Sequence, residues 1–454
     1  MKKFILSYMP VWFQSFSISI YNSMLYKKRR AGWYSERRKY YERFDAASSC
    51  EVYQEHEIRL KSFLEHAVKN SKYYQAFSPS SLQDFPVLEK QTLLSRLDDI
   101  STIPESKAEV SLTGGTTGAS MKVLYTTRDI QERHAILDHF REKYGYRLGV
   151  RTAWFSGKDL VRLKDLEKGV CYRDDWVNKI RYYSTFHINN RYFDSYWKAI
   201  VEFSPEYIVG FPSSVYDICM MAKERGLTLK NKVKVFFPTA ETVLPQHREV
   251  ISEVLGCSLV DQYASSEGAP FILECTEGRL HIHPLTGVFE VVDENLQPAR
   301  EGELLVTSFT TYGTPLIRYR IGDRLKLADA GEVCKCGSHF QLVDCIDGRS
   351  NDFIWSSENG KVNLGNISNC TKDAPGIICF QIIQRVSDAV EVKVVKGLGF
   401  SKKDEEKFLS SLRARLGKSM NIVVTYVDEI PREKSGKFRI VKNLIGVDYN
   451  VSIS

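Results

Sequence analysis

The amino-acid sequence predicts an α/β fold built in several layers. Short apolar segments typical of buried strands alternate with segments of helical period through the middle of the chain, which is the pattern of a layered α/β core. The chain has 454 residues, enough for a large hydrophobic core and more than one domain. Ligand-contacting residues of open α/β sheets lie at the ends of the strands, so we expect the functional residues there.

The individual segments support this prediction. Apolar residues spaced among charges predict helices over residues 51–76, 129–145 and 215–225. Apolar runs predict strands that end near residues 154–157, run into a turn over 207–215, and cover 233–237 and 259–263. The turn and loop residues that follow these strands are the first candidates for ligand contacts.

Composition narrows the class of protein. The net charge of +7 is modest for this length, and the apolar and charged fractions are those of a globular protein. Ten cysteines are unevenly spaced, which favours a cytoplasmic protein whose thiols are reduced or bound to metal. We expect no nucleic-acid partner.

The first 50 residues form an aromatic and basic segment. Polar residues interrupt the apolar run after Met1, so the segment is too polar to span a membrane and lacks a signal-peptide cleavage site. Trp12, Phe13 and Phe16 precede the basic residues 27–30, and this combination suits peripheral contact with the inner face of a membrane. A helix packed on the domain with a solvated basic face is the other interpretation.

A glycine- and threonine-rich loop lies between a Pro-containing approach and a strand-like segment. It consists of Thr113, Gly114, Gly115, Thr116, Thr117 and Gly118. Its glycines permit close backbone approach to a ligand, and its N–H groups and hydroxyls can donate to phosphate oxygens. Neither the P-loop spacing nor the dinucleotide-binding spacing of glycines is present, and a plain turn is the alternative.

Four further stretches carry residues suited to nucleotide chemistry. In residues 261–268, Tyr263 can stack on a base and Glu267 can hold Mg²⁺. Asp323 follows an apparent β run and can accept hydrogen bonds from both hydroxyls of a ribose. Residues 346–352 form a polar turn, and residues 431–439 form a loop that presents Lys437.

Together and in this order, the five stretches resemble the adenylate-forming superfamily of acyl-CoA synthetases. The resemblance covers nearly the whole chain and is strongest to the phenylacetate–CoA ligase branch, including CapK-type proteins of capsular polysaccharide biosynthesis. It implies an AMP-forming ligase with a core domain over residues 51–348 and a mobile α+β lid over 349–454, hinged at Asp352. A carboxylate would attack the α-phosphate of ATP, and the lid would then rotate before a thiol, such as coenzyme A, or an amine takes the acyl group.

The resemblance also implies a role for each site residue. The loop over residues 113–118 would hold the β- and γ-phosphates. Glu267 would bind Mg²⁺ and Ser266 the α-phosphate. Tyr263 would stack on adenine, with Ala240 and Glu241 nearby, and Asp323 would bind the ribose, with Arg349 beside it. Lys437 would supply a movable positive charge. Ala264 stands where the family usually has glycine, and residues 353–363 depart from the family's pattern. The acceptor is therefore left open between coenzyme A and an amine.

Two pairs of possible metal ligands suggest a structural zinc site. Cys275 and His281 flank a hairpin-like turn, and Cys334 and Cys336 form a close thiolate pair. His283 in place of His281, and four unrelated residues, are the alternatives. Six other cysteines are interpreted as small buried apolar residues: Cys171, Cys219, Cys257, Cys345, Cys370 and Cys379.

The acyl pocket is the least defined part of the site. Trp154, Phe211, Pro212 and Ser213 lie near predicted strand ends and would give an aromatic-lined pocket, although core packing explains the same residues. The carboxylic acid is not identified. A membrane-associated scaffold without catalysis is the second functional hypothesis, which suits the basic N-terminus but leaves the nucleotide-type motifs without a role.

Overall fold

A computed structural model describes residues 9–114, 120–158, 160–230, 232–241, 243, 245–265, 267–347, 353–371, 373–374, 376–396, 399–428, 430 and 440–445.

Helices dominate the first hundred residues. They are α1 (Val11–Arg29), α2 (Trp33–Asp45), α3 (Ser49–Asn70), α4 (Lys90–Ser95) and α5 (Leu97–Ile100). A capping box formed by Ser48 and Glu51 begins α3, because each residue satisfies a free N–H group of the other at the helix start. The helix ends earlier than predicted, since Ser71 turns to extended backbone and its hydroxyl donates to the Asp99 carbonyl at 2.9 Å.

A hairpin precedes the main sheet. Its strands are β1 (Glu109–Gly114) and β2 (Ser120–Tyr125), paired antiparallel. The main sheet contains β3 (Thr152–Ser156), β4 (Tyr172–Asp175), β5 (Ile180–Ser184), β6 (Tyr207–Gly210), β7 (Val235–Pro238) and β8 (Ser258–Leu259). Its order is β4-β5-β3-β6-β7-β8, with β4 antiparallel and the other pairs parallel.

Helices cover both faces of this sheet. They are α6 (Thr127–Glu142), α7 (Leu163–Leu166), α8 (Phe193–Phe203), α9 (Pro212–Glu224) and α10 (Pro245–Leu255). Ile208 and Phe236 pack with α8, α9 and α10 on one face, whereas Val209 and Phe237 pack with α2 and α6 on the other. Strands buried on both faces are continuously apolar, which is why these segments could be identified from sequence.

A second, seven-stranded antiparallel sheet follows. Its strands are β9 (Gln262–Tyr263), β10 (Ile272–Glu274), β11 (Leu280–Ile282), β12 (Gly287–Val292), β13 (Glu301–Ser308), β14 (Tyr319–Leu327) and β15 (Leu342–Asp347), in the order β12-β13-β14-β15-β11-β10-β9. The predicted strand over 259–263 is in fact split between β8 and β9, because the chain passes there from one sheet to the other. The second sheet is curled, since the rings of Tyr263 and Phe289 on its two edge strands lie 6.3 Å apart.

The C-terminal part has its own hydrophobic core. It contains β16 (Phe353–Ser356), β17 (Gly360–Asn363), α11 (Leu364–Ser368), β18 (Ile377–Val386), β19 (Ala389–Lys396), α12 (Lys402–Leu416), β20 (Asn421–Tyr426) and β21 (Val441–Asn443). Four of these strands form a sheet in the order β20-β19-β18-β21, and Phe380, Val392 and Phe408 lie in the core beneath it. The layered α/β fold class is confirmed; the division at residues 348 and 349 stays a prediction.

Candidate functional site

The curled sheet brings Tyr263 to Asp323. The Tyr263 hydroxyl donates to Asp323 Oδ2 at 2.7 Å, although β15, β11 and β10 lie between β9 and β14 in the sheet order. Tyr263 is half-buried, so its ring combines an apolar face with a fixed polar end. An aromatic ring beside a carboxylate offers a stacking surface and a hydroxyl acceptor at neighbouring positions.

Glu267 lies on the turn that follows β9. Its Oε2 is 3.5 Å from the hydroxyl of Tyr319, a fully buried residue at the start of β14. Burial raises the pKa of Tyr319 well above its ordinary value, so this phenol stays protonated and can donate. The carboxylate of Glu267 therefore lies near the start of β14. Asp323 lies within the same strand rather than after it, as the sequence had suggested.

Arg133 on α6 holds this turn in place. Its guanidinium donates to the Ser265 carbonyl at 3.0 Å, to the Ala269 carbonyl at 3.0 Å and to Thr310 Oγ1 at 2.8 Å. Hydrogen bonds from a charged donor are stronger than those between neutral groups. Sequence reasoning missed Arg133, because no local pattern distinguishes it from other polar residues of a long helix.

The glycine of the same turn is also required. Gly268 has a φ of +101°, and a Cβ there would lie 2.5 Å from Thr311 Cγ2 and 2.7 Å from the Tyr125 hydroxyl. A side chain at this position would meet both an unfavourable backbone conformation and a steric clash. The turn is thus packed directly on β2 and on the segment before β14.

The base of the β1–β2 hairpin is fixed to that segment. The Leu124 N–H donates to Thr314 Oγ1 at 3.0 Å, and Asp129 of α6 accepts hydrogen bonds from the Tyr312 and Gly313 N–H groups, both at 3.0 Å. Thr113 and Gly114 are the last residues of β1. The hairpin that carries the predicted phosphate loop is therefore anchored at its open end to the segment before β14. The turn that carries Glu267 packs on the same segment.

The arginines on either side of Tyr319 are engaged in ion pairs. Arg318 pairs with Glu290 at 3.1 Å and donates to the Phe85 carbonyl at 3.0 Å. Arg320 pairs with Glu89 at 2.8 Å and with Glu303. These contacts tie β14 to the residues around α4 and to the neighbouring strands, so we assign both arginines a structural role.

The end of β7 carries an unusual acidic residue. Ala240 has a φ of +65°, and strained conformations of this kind cluster at functional sites. Glu241 Oε2 accepts a hydrogen bond from the Ser213 N–H at 3.1 Å, while Oε1 is buried and has no partner among the described residues. Burial raises the pKa of Glu241 to about 7 and that of nearby Asp217 to about 6. Asp217 was not predicted from sequence.

Of the predicted acyl-pocket residues, Phe211, Pro212 and Ser213 directly follow β6, whereas Trp154 is the central residue of β3 and packs against the hydrophobic cluster of α2 and α6. Trp154 packs near Tyr182, with ring centroids 6.1 Å apart. Phe211 is buried, and Pro212 is the first residue of α9. Ser213 is the member of this set that contacts Glu241.

The four predicted metal ligands converge. Sγ of Cys275, Nε2 of His281 and Sγ of Cys334 and Cys336 all lie within 4.8 Å of one another. The Cys275–Cys334 Sγ–Sγ distance is 3.7 Å, and the Cys336 Sγ to His281 Nε2 distance is 3.5 Å. A tetrahedral zinc with ordinary Zn–S and Zn–N bond lengths requires separations of about 3.8 and about 3.6 Å for such pairs. The donor set therefore fits zinc.

The surroundings of His281 favour the same ligand set. His281 Nδ1 lies 3.0 Å from the Phe340 carbonyl, and because a carbonyl can only accept, Nδ1 is the donor. The other nitrogen, Nε2, then faces the sulfur atoms in the form that binds a metal. His283 instead packs its ring against Phe340 and Tyr41, so the described geometry selects His281 over His283.

The other cysteines follow the prediction with one exception. Cys171, Cys219, Cys257 and Cys370 are buried, but Cys345 is exposed, so that prediction was wrong. Cys345 lies on β15 next to a shift in the pairing register with β14, and a bulge of this kind interrupts the alternation that would otherwise place Cys345 on the buried face with Val343. The Cys379 side chain lies outside the described residues.

Several predicted residues lie outside the part of the chain that the structure describes. They are Gly115, Thr116, Thr117, Gly118, Ser266, Arg349, Asp352 and Lys437. Their roles stay predictions.

Comparison with known proteins gives matches over most of the chain. Residues 354–444 match the family model described as the CapK C-terminal domain. The chain is 29% identical to Protein CapK of Staphylococcus aureus over 98% of this chain and 100% of that protein. It is 26% identical to a phenylacetate-coenzyme A ligase of Escherichia coli over 65% of this chain and 70% of that protein.

Solved structures agree on the fold. A crystal structure of 2-hydroxyisobutyryl-CoA ligase, in complex with its acyl-adenylate and CoA, superposes with a TM-score of 0.55 at 18% identity. The match covers 88% of this chain and 91% of that one. At this identity the likeness concerns the fold.

Proposed function

The chain belongs to the adenylate-forming superfamily, in the phenylacetate–CoA ligase branch together with CapK-type proteins, and on that premise we propose that it activates a carboxylic acid with ATP and transfers the acyl group to a thiol or an amine. The sequence resemblance to this superfamily and the assignment as an AMP-forming ligase are confirmed by the relatives. The acid, the acceptor and the residue roles are proposals.

The hydrogen bond between Tyr263 and Asp323 is the observation that carries this proposal. It joins residues 60 positions apart in the chain, on β9 and β14 of the curled second sheet. Tyr263 would stack on the adenine, and Asp323 would accept hydrogen bonds from the ribose hydroxyls. In the described geometry Asp323 already accepts one hydrogen bond, which orients its carboxylate before the nucleotide arrives.

The first step needs charge to be neutralised at the phosphates. The carboxylate oxygen of the acid attacks the α-phosphate, a P–O bond forms, and pyrophosphate leaves. Glu267 would hold Mg²⁺, which supplies positive charge beside the phosphates. Lys437 would add a movable cation between the carboxylate and the α-phosphate, and the loop over residues 113–118 would donate its N–H groups to the β- and γ-phosphates.

The second step passes the acyl group to the acceptor. A thiol or amine attacks the acyl carbon of the adenylate, the bond from that carbon to the phosphate oxygen breaks, and AMP leaves. Coenzyme A is one candidate acceptor and an amine is the other. The proposed role in surface or capsular polysaccharide biosynthesis is suggested by the name of the CapK protein that this chain matches over its full length.

We also propose that Cys275, His281, Cys334 and Cys336 hold a structural zinc ion. It would fasten the β10–β11 hairpin to the loop between β14 and β15, and β10 pairs with the strand that carries Tyr263. Zinc of this closed type contributes folding energy and takes no part in the reaction.

ATP–pyrophosphate exchange with a panel of carboxylic acids tests the proposed activity. Exchange that depends on one acid, on ATP and on Mg²⁺ is the expected result, and Asp323→Asn should reduce it while leaving the fold intact. A folded protein that exchanges with none of a broad panel would favour the alternative, a membrane-associated scaffold without catalysis.

A further inference from the structure

Helix α1 is amphipathic in the opposite sense to an ordinary surface helix. Its buried side chains are polar, namely Gln14, Ser15, Ser19 and Asn22. Its large apolar side chains point outward: Trp12 is 63% exposed, Phe16 46%, Ile20 46% and Met24 69%. These four residues recur every fourth position and form one stripe, which we call the outer face of α1. Surface helices normally bury such a stripe.

The polar side of α1 is fixed by the edge of the main sheet. β4 is the edge strand, and its outward N–H groups would otherwise be unpaired. Ser15 Oγ accepts from the Asp174 N–H at 3.2 Å, and Ser19 Oγ accepts from the Trp176 N–H at 2.9 Å. The i, i+4 spacing of the serines on the helix thus matches the i, i+2 spacing of N–H groups on the strand.

Two buried charged groups strengthen this attachment. Gln14 Oε1 accepts from Arg173 Nε at 2.8 Å, and Asn22 Nδ2 donates to Asp175 Oδ2 at 2.8 Å. A rotation of the helix that buried its apolar stripe would break these four hydrogen bonds, two of which involve buried charged groups, and that loss is costly. The outward direction of the stripe is therefore built into the fold.

The exposed apolar surface continues beyond the helix. The turn after β4 exposes Trp176 by 51% and Val177 by 59%, and the hydrogen bond from the Trp176 N–H to Ser19 places it directly beside α1. Exposed apolar surface of this extent, with polar residues around it, marks an interaction site.

Lysines surround this surface. Lys27 and Lys28 are exposed in the last turn of α1, where Lys28 forms an ion pair with Glu109 at 2.9 Å, and Lys179 is exposed on the turn beside Trp176. Arg173 links Gln14 to Asp165 of α7 at 2.7 Å, which brings the exposed Lys164 and Lys168 towards the other end of the helix; Glu167 is an exposed acid on the same segment. Aromatic and aliphatic side chains with a cationic border match the interface of an anionic bilayer.

We propose that the outer face of α1 and the Trp176–Val177 turn dock the enzyme on an anionic membrane surface, with the apolar side chains in the headgroup region and the lysines on the lipid phosphates. This docking does not depend on the proposed reaction. No helix in the part of the chain described by the structure has the length and hydropathy to cross a bilayer. Salt screens the attraction between lysines and an anionic surface, so the proposed contact should weaken as the ionic strength rises.

Flotation with vesicles tests the proposal, using phosphatidylglycerol mixed with phosphatidylcholine and phosphatidylcholine alone. The variant Phe16→Ser/Ile20→Ser changes two exposed residues of the outer face. The matched control is Val386→Ser/Val423→Ser, two residues of the C-terminal sheet that are 53% and 51% exposed. We expect the parent and the control to bind the anionic vesicles and the outer-face variant to bind at least about tenfold more weakly, because two large apolar side chains no longer leave water.

Two further measurements make the result decisive. Brominated phospholipid should quench the tryptophan fluorescence of the parent. The quenched fraction should be smaller in the variant Trp12→Phe/Trp176→Phe, which lacks both tryptophans of the proposed surface. Sedimentation velocity without lipid reports whether the same face joins two copies of the chain. The proposal would be overturned if the parent and the outer-face variant bound anionic vesicles equally, if the parent bound uncharged and anionic vesicles equally, or if it did not bind anionic vesicles at low salt. It would also be overturned if the parent self-associated through this face and did not bind vesicles.

Discussion

Replacing Arg133 should lower the proposed activity without removing any group that we assign to substrate binding. Arg133→Met keeps an unbranched side chain of similar length but removes the three hydrogen bonds to Ser265, Ala269 and Thr310. Two of these bonds hold the backbone of the turn that carries Glu267. A hydrogen bond from a charged donor contributes about 1.5 kcal/mol, so the two bonds contribute about 3 kcal/mol to the free energy that favours the native position of the turn. That corresponds to about a hundredfold loss in kcat/KM.

ATP–pyrophosphate exchange at varied ATP is the assay for Arg133→Met, and Arg128→Met on the exposed side of α6 is the matched control. Arg128 lies over the ring of Trp33, with its guanidinium carbon 5.0 Å from the ring centroid, and does not contact the turn. We expect the control to exchange at nearly the rate of the parent. Arg133→Met should exchange more slowly than the parent, even at temperatures well below the melting temperature of both variants. Equal activity of the two folded variants would refute a positioning role for Arg133.

Three other predictions concern the metal, the lid and a buried carboxyl group. Protein purified without chelator should contain about one zinc per chain, and Cys334→Ser should lose the metal and melt at a lower temperature; a metal-free parent would rule the site out. Lys437→Ala should slow adenylate formation by on the order of 10²–10³ yet transfer a supplied acyl-adenylate at the parent rate, whereas Asp323→Ala should slow both half-reactions; equal effects of Lys437→Ala on both would contradict the assignment of that lysine. Burial raises the pKa of Glu241 from its usual 4.5 to about 7, so the folded state holds a proton that the unfolded state has released between these values. Its contribution to stability is present below about pH 4.5 and lost by about pH 7. Denaturation curves should therefore show Glu241→Gln gaining stability relative to the parent across this window; a constant difference would mean that Glu241 is ionised in the folded protein.

Structure could be predicted best from the sequence where a residue pattern is specific for one kind of local structure. Continuous apolar runs identified β6 and β7, because both faces of those strands are buried. The paired spacing of Cys275 with His281 and of Cys334 with Cys336 identified four side chains that converge, because each pair is presented by a short turn.

Features that depend on tertiary geometry were out of reach. The contact between Tyr263 and Asp323 requires the curling of a seven-stranded sheet, and the role of Arg133 requires α6 to lie beneath a distant turn. The N-terminal segment shows the same limit. Its sequence suggested either membrane contact or packing on the domain, and the structure shows packing through its polar side, which no hydrophobic periodicity could reveal.

The fate of the carboxylate oxygen tests the central claim most directly. The acid that gives the strongest exchange is labelled with ¹⁸O in its carboxyl group and allowed to react with ATP and an acceptor, and the nucleotide and phosphate products are examined by mass spectrometry. If the carboxylate attacks the α-phosphate, one ¹⁸O is left on AMP when the acyl group departs. Label in orthophosphate together with ADP, or AMP formed without label, would contradict activation through an acyl-adenylate.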